Sequence, residues 1–330
     1  MASAHQLKAL LKSHMAGDDE QFLAVAMQVA AHEAKQGHGK LALELRELIE
    51  QAKQGHLRSK KPTPLAQPKG ELGELLTARY PQLRLNDLVL PEDTKDRLVR
   101  LIKEHRQSQK IRAYGLVPRR KVLLLGPPGT GKTMTSSVLT GELGLPLFIV
   151  RLDGLMTKYL GETAAKLRIV FQAIDRTRGV YLFDEFDSIG AKRGFGNDVG
   201  EIRRVLNSFL QLIELDNSDS LLIAATNHAE LLDRALLRRF DDVIEYALPD
   251  AAQVAAVIKA KVSAFPTSRI VWNKVCEVAE GLSHGDIASA CEDAVKHAII
   301  HDKARLSQRN LTDALVERRR ADNRRIEAGD

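Results

Sequence analysis

Between residues 122 and 246 the apolar positions fall in short unbroken runs rather than in alternation. The runs are Val122–Leu125, Leu147–Val150, Val180–Phe183, Leu221–Ala225 and Val243–Tyr246. A strand with one wet face alternates apolar and polar residues, so unbroken runs predict strands covered on both faces. The expected architecture is an α/β fold: a parallel sheet flanked by helices over residues 76–250. After Leu248-Pro249-Asp250 the pattern turns helical, over Val254–Val262, Trp272–Ala279 and Ile287–Ile300. That predicts a small all-α domain across residues 251–330. Near the start, Phe22, Ala26, Val29 and Ala30, and later Leu41, Leu45, Leu48, Ile49 and Ala52, each line one helix face. Gly17-Asp18-Asp19 and Gly37-His38-Gly39 interrupt them, so residues 1–56 read as a small domain of three short helices. Pro62, Pro64, Pro68 and Gly70 mark a semi-flexible linker across residues 57–75.

Composition narrows the class. The 330 residues carry a formal charge of +6, which by itself suggests a nucleic-acid partner. Four of those six charges come from Arg58, Lys60, Lys61 and Lys69, in residues 57–70, a stretch without an acid. The rest is nearly balanced, and a basic tether is the simpler reading. No run approaches the ~18 apolar residues of a membrane helix, and the first residues lack the apolar segment of a secretion signal. The two cysteines, Cys276 and Cys291, have neither metal-ligand spacing nor the makings of a disulfide framework. A cytoplasmic setting is the expectation that follows.

The first apolar run leads into Gly126-Pro127-Pro128-Gly129-Thr130-Gly131-Lys132-Thr133. This is G-x-x-x-x-G-K-[ST] between a buried strand and a helix starting near Lys132. The glycines let the backbone turn its N–H groups inward, making an anion nest at a helix N-terminus. Lys132 can reach the β- and γ-phosphates of a nucleoside triphosphate, and the Thr133 hydroxyl can ligate Mg²⁺. Residues 126–134, Met134 included, form the expected nucleotide-binding set. The third run ends in Asp184-Glu185, two carboxylates delivered to the same end of the sheet, where ligands of such folds bind. Asp184 is expected to bind Mg²⁺, and Glu185 to orient and deprotonate the water attacking the γ-phosphate.

GPPGTGKT and LFDEFDSI, in this order, resemble the nucleotide-binding and hydrolysis motifs of the AAA family within the wider AAA+ group. The likeness covers about three quarters of the chain. It implies a P-loop ATPase core with a helical lid over residues 251–330, ATP and Mg²⁺ as ligands, and a ring, usually a hexamer, that couples hydrolysis to mechanical work. Asn227, in Ala224-Ala225-Thr226-Asn227, resembles the family's first sensor, which would hold the attacking water between Glu185 and the γ-phosphate. Arg238 and Arg239 resemble its arginine fingers, which act on the neighbouring subunit's nucleotide. No Pro-Gly separates the two here, as in severing-type relatives, and which of them dominates stays open. Tyr159 and Leu160, in Lys158-Tyr159-Leu160-Gly161-Glu162, resemble the loop lining the central pore. Ala191–Gly200 falls where the second pore loop does. Gly281–Ile287 resembles the lid turn over the nucleotide, with His284 at a variable position in it. The tail, with Arg318–Arg320 and Arg324-Arg325, reads as a frayed helix.

The sequence holds one phosphate loop and no His-Glu-x-x-His motif, so nothing marks it as a fused zinc protease. The leading expectation is a ring that threads or dismantles a protein substrate, recruited through residues 1–56 or an adaptor, with a separately encoded protease as one destination. A nucleic-acid-associated ATPase, such as a loader or transposition helper, and a slow nucleotide switch are the alternatives.

Overall fold

The computed structural model describes residues 25–27, 29–30, 33, 38, 42–45, 68–155, 160–185, 199–228 and 237–327. The chain divides into two compact units, residues 1–63 and 64–330. In the first, residues 25–27, 29–30 and 42–45 are helical, and Ala30 is buried against Ala26, Met27 and Leu45. Most of the expected three-helix pattern lies outside the described residues.

The second unit is built on a six-stranded sheet in the order β1-β3-β4-β5-β2-β6. Its strands are β1 (Leu76–Arg79), β2 (Lys121–Leu125), β3 (Leu147–Val150), β4 (Val180–Phe183), β5 (Leu221–Thr226) and β6 (Asp242–Glu245). Five strands run parallel, with Leu125 opposite Thr226 on β5 and opposite Glu245 on β6. The sixth, β1, lies antiparallel on β3, Leu76 facing Val150. The sheet is therefore parallel as expected over five strands, with one antiparallel strand added at its edge. A four-residue strand reading Leu-Thr-Ala-Arg carries too little apolar signal to stand out. Just before it, helix α1 (Glu71–Leu75) occupies the end of the expected linker, and Leu75 is buried in the main core.

Alternation sends successive side chains of each strand to opposite faces. Val122, Leu124, Leu182 and Ile223 pack with Leu98 and Leu101 of α2 (Glu92–Arg106) and Leu139 of α4 (Lys132–Leu143). The short α3 (Ser108–Ala113) links α2 toward β2. Leu123, Leu125, Phe183 and Leu222 face the other way. They meet Leu167, Val170 and Phe171 of α6 (Leu160–Arg176) and Phe209 and Ile213 of α7 (Val199–Leu215), beyond the single turn of α5 (Leu152–Leu155). Phe183 and Phe209 lie edge to face with centroids 4.8 Å apart, a geometry aromatic rings favour. Both faces being covered is what the unbroken runs require.

Four helices follow: α8 (Ala251–Val262), α9 (Trp272–Ala279), α10 (His284–Ile300) and α11 (Gln308–Glu327). They enclose a core of their own, with Val254, Ile258, Val275, Ile287, Leu311 and Leu315 buried together. Asp250 opens α8 with a capping box to Gln253, its carboxylate accepting the Gln253 N–H at 2.8 Å. The tail is not frayed where it was expected to be. Leu311 and Leu315 anchor α11, each buried leucine contributing about 1.5–3 kcal/mol, and Arg318 and Arg319 bond Asp286 and the Glu280 carbonyl of the same domain. Among the described residues, no helix is long and apolar enough to cross a membrane, and no group of three or more His, Cys, Asp or Glu side chains could hold a metal ion. Cys276 and Cys291 are free thiols.

Candidate active site

The loop after β2 takes its shape from its glycines. Gly126, Gly129 and Gly131 adopt φ values of 142°, 73° and 104°, a region that side chains with a Cβ rarely enter. Two of them also lack room. A Cβ on Gly126 would stand 2.3 Å from the Tyr246 carbonyl oxygen, and one on Gly129 the same distance from Ser283 Oγ. The Thr130 hydroxyl closes the loop on Pro127 O at 2.8 Å. Gly131 is the N-cap of α4, so the free N–H groups of the first turn face the loop's interior. Met134 is exposed in that turn.

Lys132 is buried, which requires oxygen partners for its charge. Its ammonium donates to Gly126 O at 2.6 Å, Pro127 O at 2.8 Å and Asn227 Oδ1 at 2.8 Å. The last contact follows from strand order. β5 lies beside β2 with Thr226 opposite Leu125, so the residue after β5 stands next to the loop after β2. Thr133, beside Lys132, donates its hydroxyl to Asp184 Oδ2 at 2.6 Å, and Asp184 Oδ1 accepts the Glu185 N–H at 3.0 Å. Glu185 is exposed with φ 50°. For a residue with a side chain this left-handed conformation costs roughly 1–2 kcal/mol, and such strain concentrates at functional turns. Three strand ends thus bring together a cation, two oxygen ligands for a hard metal, an amide and a solvent-facing carboxylate.

The arginines are placed differently. Arg238 is exposed, and Arg239 pairs with Glu214 in the last turn of α7. Among the described residues neither contacts the phosphate loop. Tyr159 lies outside the described residues, and of Leu160 only its position at the start of α6 is described. Residues 191–198, most of the second pore-loop candidate, also lie outside, followed by the first residues of α7.

Two further supports hold the loop; the sequence carried no sign of the first and marked the second only by the resemblance of Gly281–Ile287 to a lid turn. Tyr246, taken as the end of a strand, lies one residue beyond β6. Its N–H donates to Leu125 O at 2.7 Å, and its hydroxyl meets Thr135 Oγ1 at 2.7 Å. Burial pushes its phenol up to about 12, so it stays protonated. The other support is the helical domain. Gly285 N–H donates to Gly129 O at 2.9 Å, and Ser283 caps α10 by accepting the Asp286 N–H at 3.1 Å. The Ser283 hydroxyl in turn donates to Asp286 Oδ2 at 2.5 Å, and Arg318 Nε holds Oδ1 at 2.9 Å. Burial works to raise the Asp286 carboxyl, but the bonds from Ser283 and Arg318 outweigh it and hold it below the usual range. His284 sits inside this turn with both ring nitrogens buried and without hydrogen bonds. Burial lowers its basicity, opposed by Asp250 and the nearby Val89 backbone. A Gly-x-Ser turn in the sequence carried the only available signal for this contact.

A mostly parallel sheet with a glycine loop at its switch point, a buried lysine and a paired Thr–Asp defines the class: a P-loop ATPase. Residues 122–248 match the family model described as ATPase family associated with various cellular activities (AAA). The chain is 36% identical over 329 residues, 99% of both chains, to the "Uncharacterized AAA family ATPase y4kL" of Sinorhizobium fredii. It is 31% identical over 255 residues to the ATP-dependent zinc metalloprotease FtsH 3 of Sphaerobacter thermophilus, covering 75% of this chain and 52% of that protein. To the FtsH of Bacillus subtilis it is 30% identical over 249 residues, 73% of this chain and 39% of that one. It thus spans about half or less of those proteases. In fold it matches the crystal structure of the FIGL-1 AAA domain with a TM-score of 0.60, at 21% identity over 78% of this chain and 91% of that one. The chain belongs to the AAA family of ATPases: it binds a nucleotide and hydrolyses ATP.

Proposed function

We propose that this ATPase works as a ring, a hexamer like those of its family, whose hydrolysis remodels or unfolds a protein drawn through a central pore lined by Tyr159 and Leu160. The observation that carries the reading is the partition of charged groups. Lys132, Asn227, Thr133, Asp184 and Glu185 gather at one end of the sheet, whereas Arg238 and Arg239 make no contact with that cluster among the described residues. A second subunit is the natural place for the arginines to act.

In this reading the loop of residues 126–134 takes the ATP phosphates, and Lys132 exchanges loop carbonyls for phosphate oxygens. Thr133 and Asp184 would hold Mg²⁺, since both offer hard oxygen donors and already stand 2.6 Å apart. When bound, the ion would supply charge neutralisation on the phosphates. Glu185 orients and deprotonates the attacking water, and Asn227 positions it. A guanidinium from the next subunit braces the charge that develops on the transferring phosphoryl group. Residues 1–56 recruit the protein substrate or an adaptor, and a separate protease is one destination for the unfolded chain. A cytoplasmic location fits this work.

The test mixes two inactive proteins. Arg238→Ala/Arg239→Ala subunits lack fingers, and Lys132→Ala subunits lack a working phosphate loop. Co-assembled mixtures are expected to recover partial ATP hydrolysis; mixtures shown to co-assemble yet silent would count against action between subunits.

A further inference from the structure

The two adjacent arginines have different surroundings. Both lie in the turn before β6, and only one of them is engaged within its own chain. Arg239 pairs with Glu214 at the end of α7. Phe240 is buried in the same core as Phe209, Leu210 and Ile213 of α7. Asp241 Oδ2 accepts the N–H groups of Arg120 and Lys121 at 2.8 and 2.9 Å. Arg120 in turn is buried and donates to Asp216 Oδ2 and Asp216 O, both at 3.0 Å, just past the end of α7. Asp242 pairs with Arg97. Residues 239–242 are thus all fastened to their own chain, chiefly to the C-terminal end of α7 and the start of β2. Arg238 is exposed and has no hydrogen bond or ion pair among the described residues.

We propose that Arg238 alone is presented to the neighbouring subunit's nucleotide, and that Arg239 is a positioning residue that fastens the segment to α7 through Glu214. This rests on the reading that fingers act between subunits. The Arg239–Glu214 pair is partly exposed, with side chains 33% and 62% accessible, and such pairs add little stability. Its effect is aim: α7 begins at the end of the candidate second pore loop, so a shift of that helix would move Arg238 through Arg239.

The experiment supplies fingers from one protein and a phosphate loop from another. The acceptor is full-length Arg238→Ala/Arg239→Ala. Donors all carry Glu185→Gln, which removes their own turnover but leaves them able to hold ATP. A donor with both arginines is expected to restore hydrolysis by the acceptor. A donor that also carries Arg239→Ala should restore it to within a few fold, and one that carries Arg238→Ala should leave it about 10³-fold lower or worse, the scale of a missing arginine finger. In otherwise unaltered protein, Glu214→Gln and Arg239→Ala should lower kcat by the same few-fold factor without changing KM for ATP. Their combination should cost no more than either alone, the signature of one shared contact, and Arg239→Lys should recover part of the loss. Unfolding midpoints and co-assembly are followed for every variant. The division of roles is overturned if the Arg239→Ala donor fails as completely as the Arg238→Ala donor, or if Glu214→Gln is silent. Failure of the donor with both arginines, in mixtures shown to co-assemble, instead refutes action between subunits and takes this inference with it.

Discussion

At the phosphate loop, every charged group of the cluster that faces inward has a partner from its own chain; in the segment 238–242, one cation is left facing out. Lys132 donates to two loop carbonyls and Asn227, and Thr133 to Asp184. Arg238, of the same sign, touches none of them. The contrast separates two jobs. A loop that must receive phosphate has to be formed before the ligand arrives, because a buried ammonium without oxygen partners costs several kcal/mol. An arginine that waits for another molecule has to stay hydrated and aimed, which needs a rigid base and an unpaired head.

The sharpest way to break the comparison is at Glu185, the exposed carboxylate among the described residues at the loop. Glu185→Gln is expected to reduce ATP turnover by about 10²–10⁴-fold, as for loss of a general base, while nucleotide binding measured by a fluorescent ATP analogue persists. Normal turnover would remove Glu185 from that role and leave the loop a binding site only.

Gly129→Ala probes how much of the loop's order depends on the helical domain. The added Cβ would press on Ser283 Oγ and sit at φ 73°. A loss of roughly 1–3 kcal/mol in stability, typical of overpacking at a close contact, should accompany weaker ATP binding in a titration. An unchanged midpoint would show that the Gly129–Ser283 approach is loose.

The smallest effect is expected from acid. Because Asp286 titrates below the usual carboxylate range in the folded chain, its contribution is present above the unfolded value near 4. It is lost as the pH falls through the lowered folded value. Between about pH 5 and pH 3 the unfolding midpoint should therefore fall more steeply for the natural chain than for Asp286→Asn, by a few degrees at most. Parallel acid limbs would mean that Ser283 and Arg318 do not favour the charged form.

Much of the site was legible in the chain. The spacing of Gly126, Gly131, Lys132 and Thr133 and the Asp184-Glu185 pair after an apolar run are local patterns. The backbone turns they require are local too, so residue types at fixed offsets disclose them. The five parallel strands were legible for a similar reason: burial on both faces leaves unbroken apolar runs. β1 was not, because an edge strand of four residues draws its stability from pairing with β3 rather than from its own composition. Nor was the docking of α11, where two leucines among charges decide the matter.

What the sequence determined alone is the chemistry on offer, a nucleotide loop and the carboxylates beside it. Tertiary structure decided which groups meet. Strand order set Asn227 against Lys132, close approach made Tyr246 and Ser283 walls of the loop, and the end of α7 claimed Arg239 but not Arg238. Those outcomes depend on contacts between residues about 25 to 150 positions apart, brought within hydrogen-bonding range only by a packed sheet, and no local pattern encodes a partner at that separation.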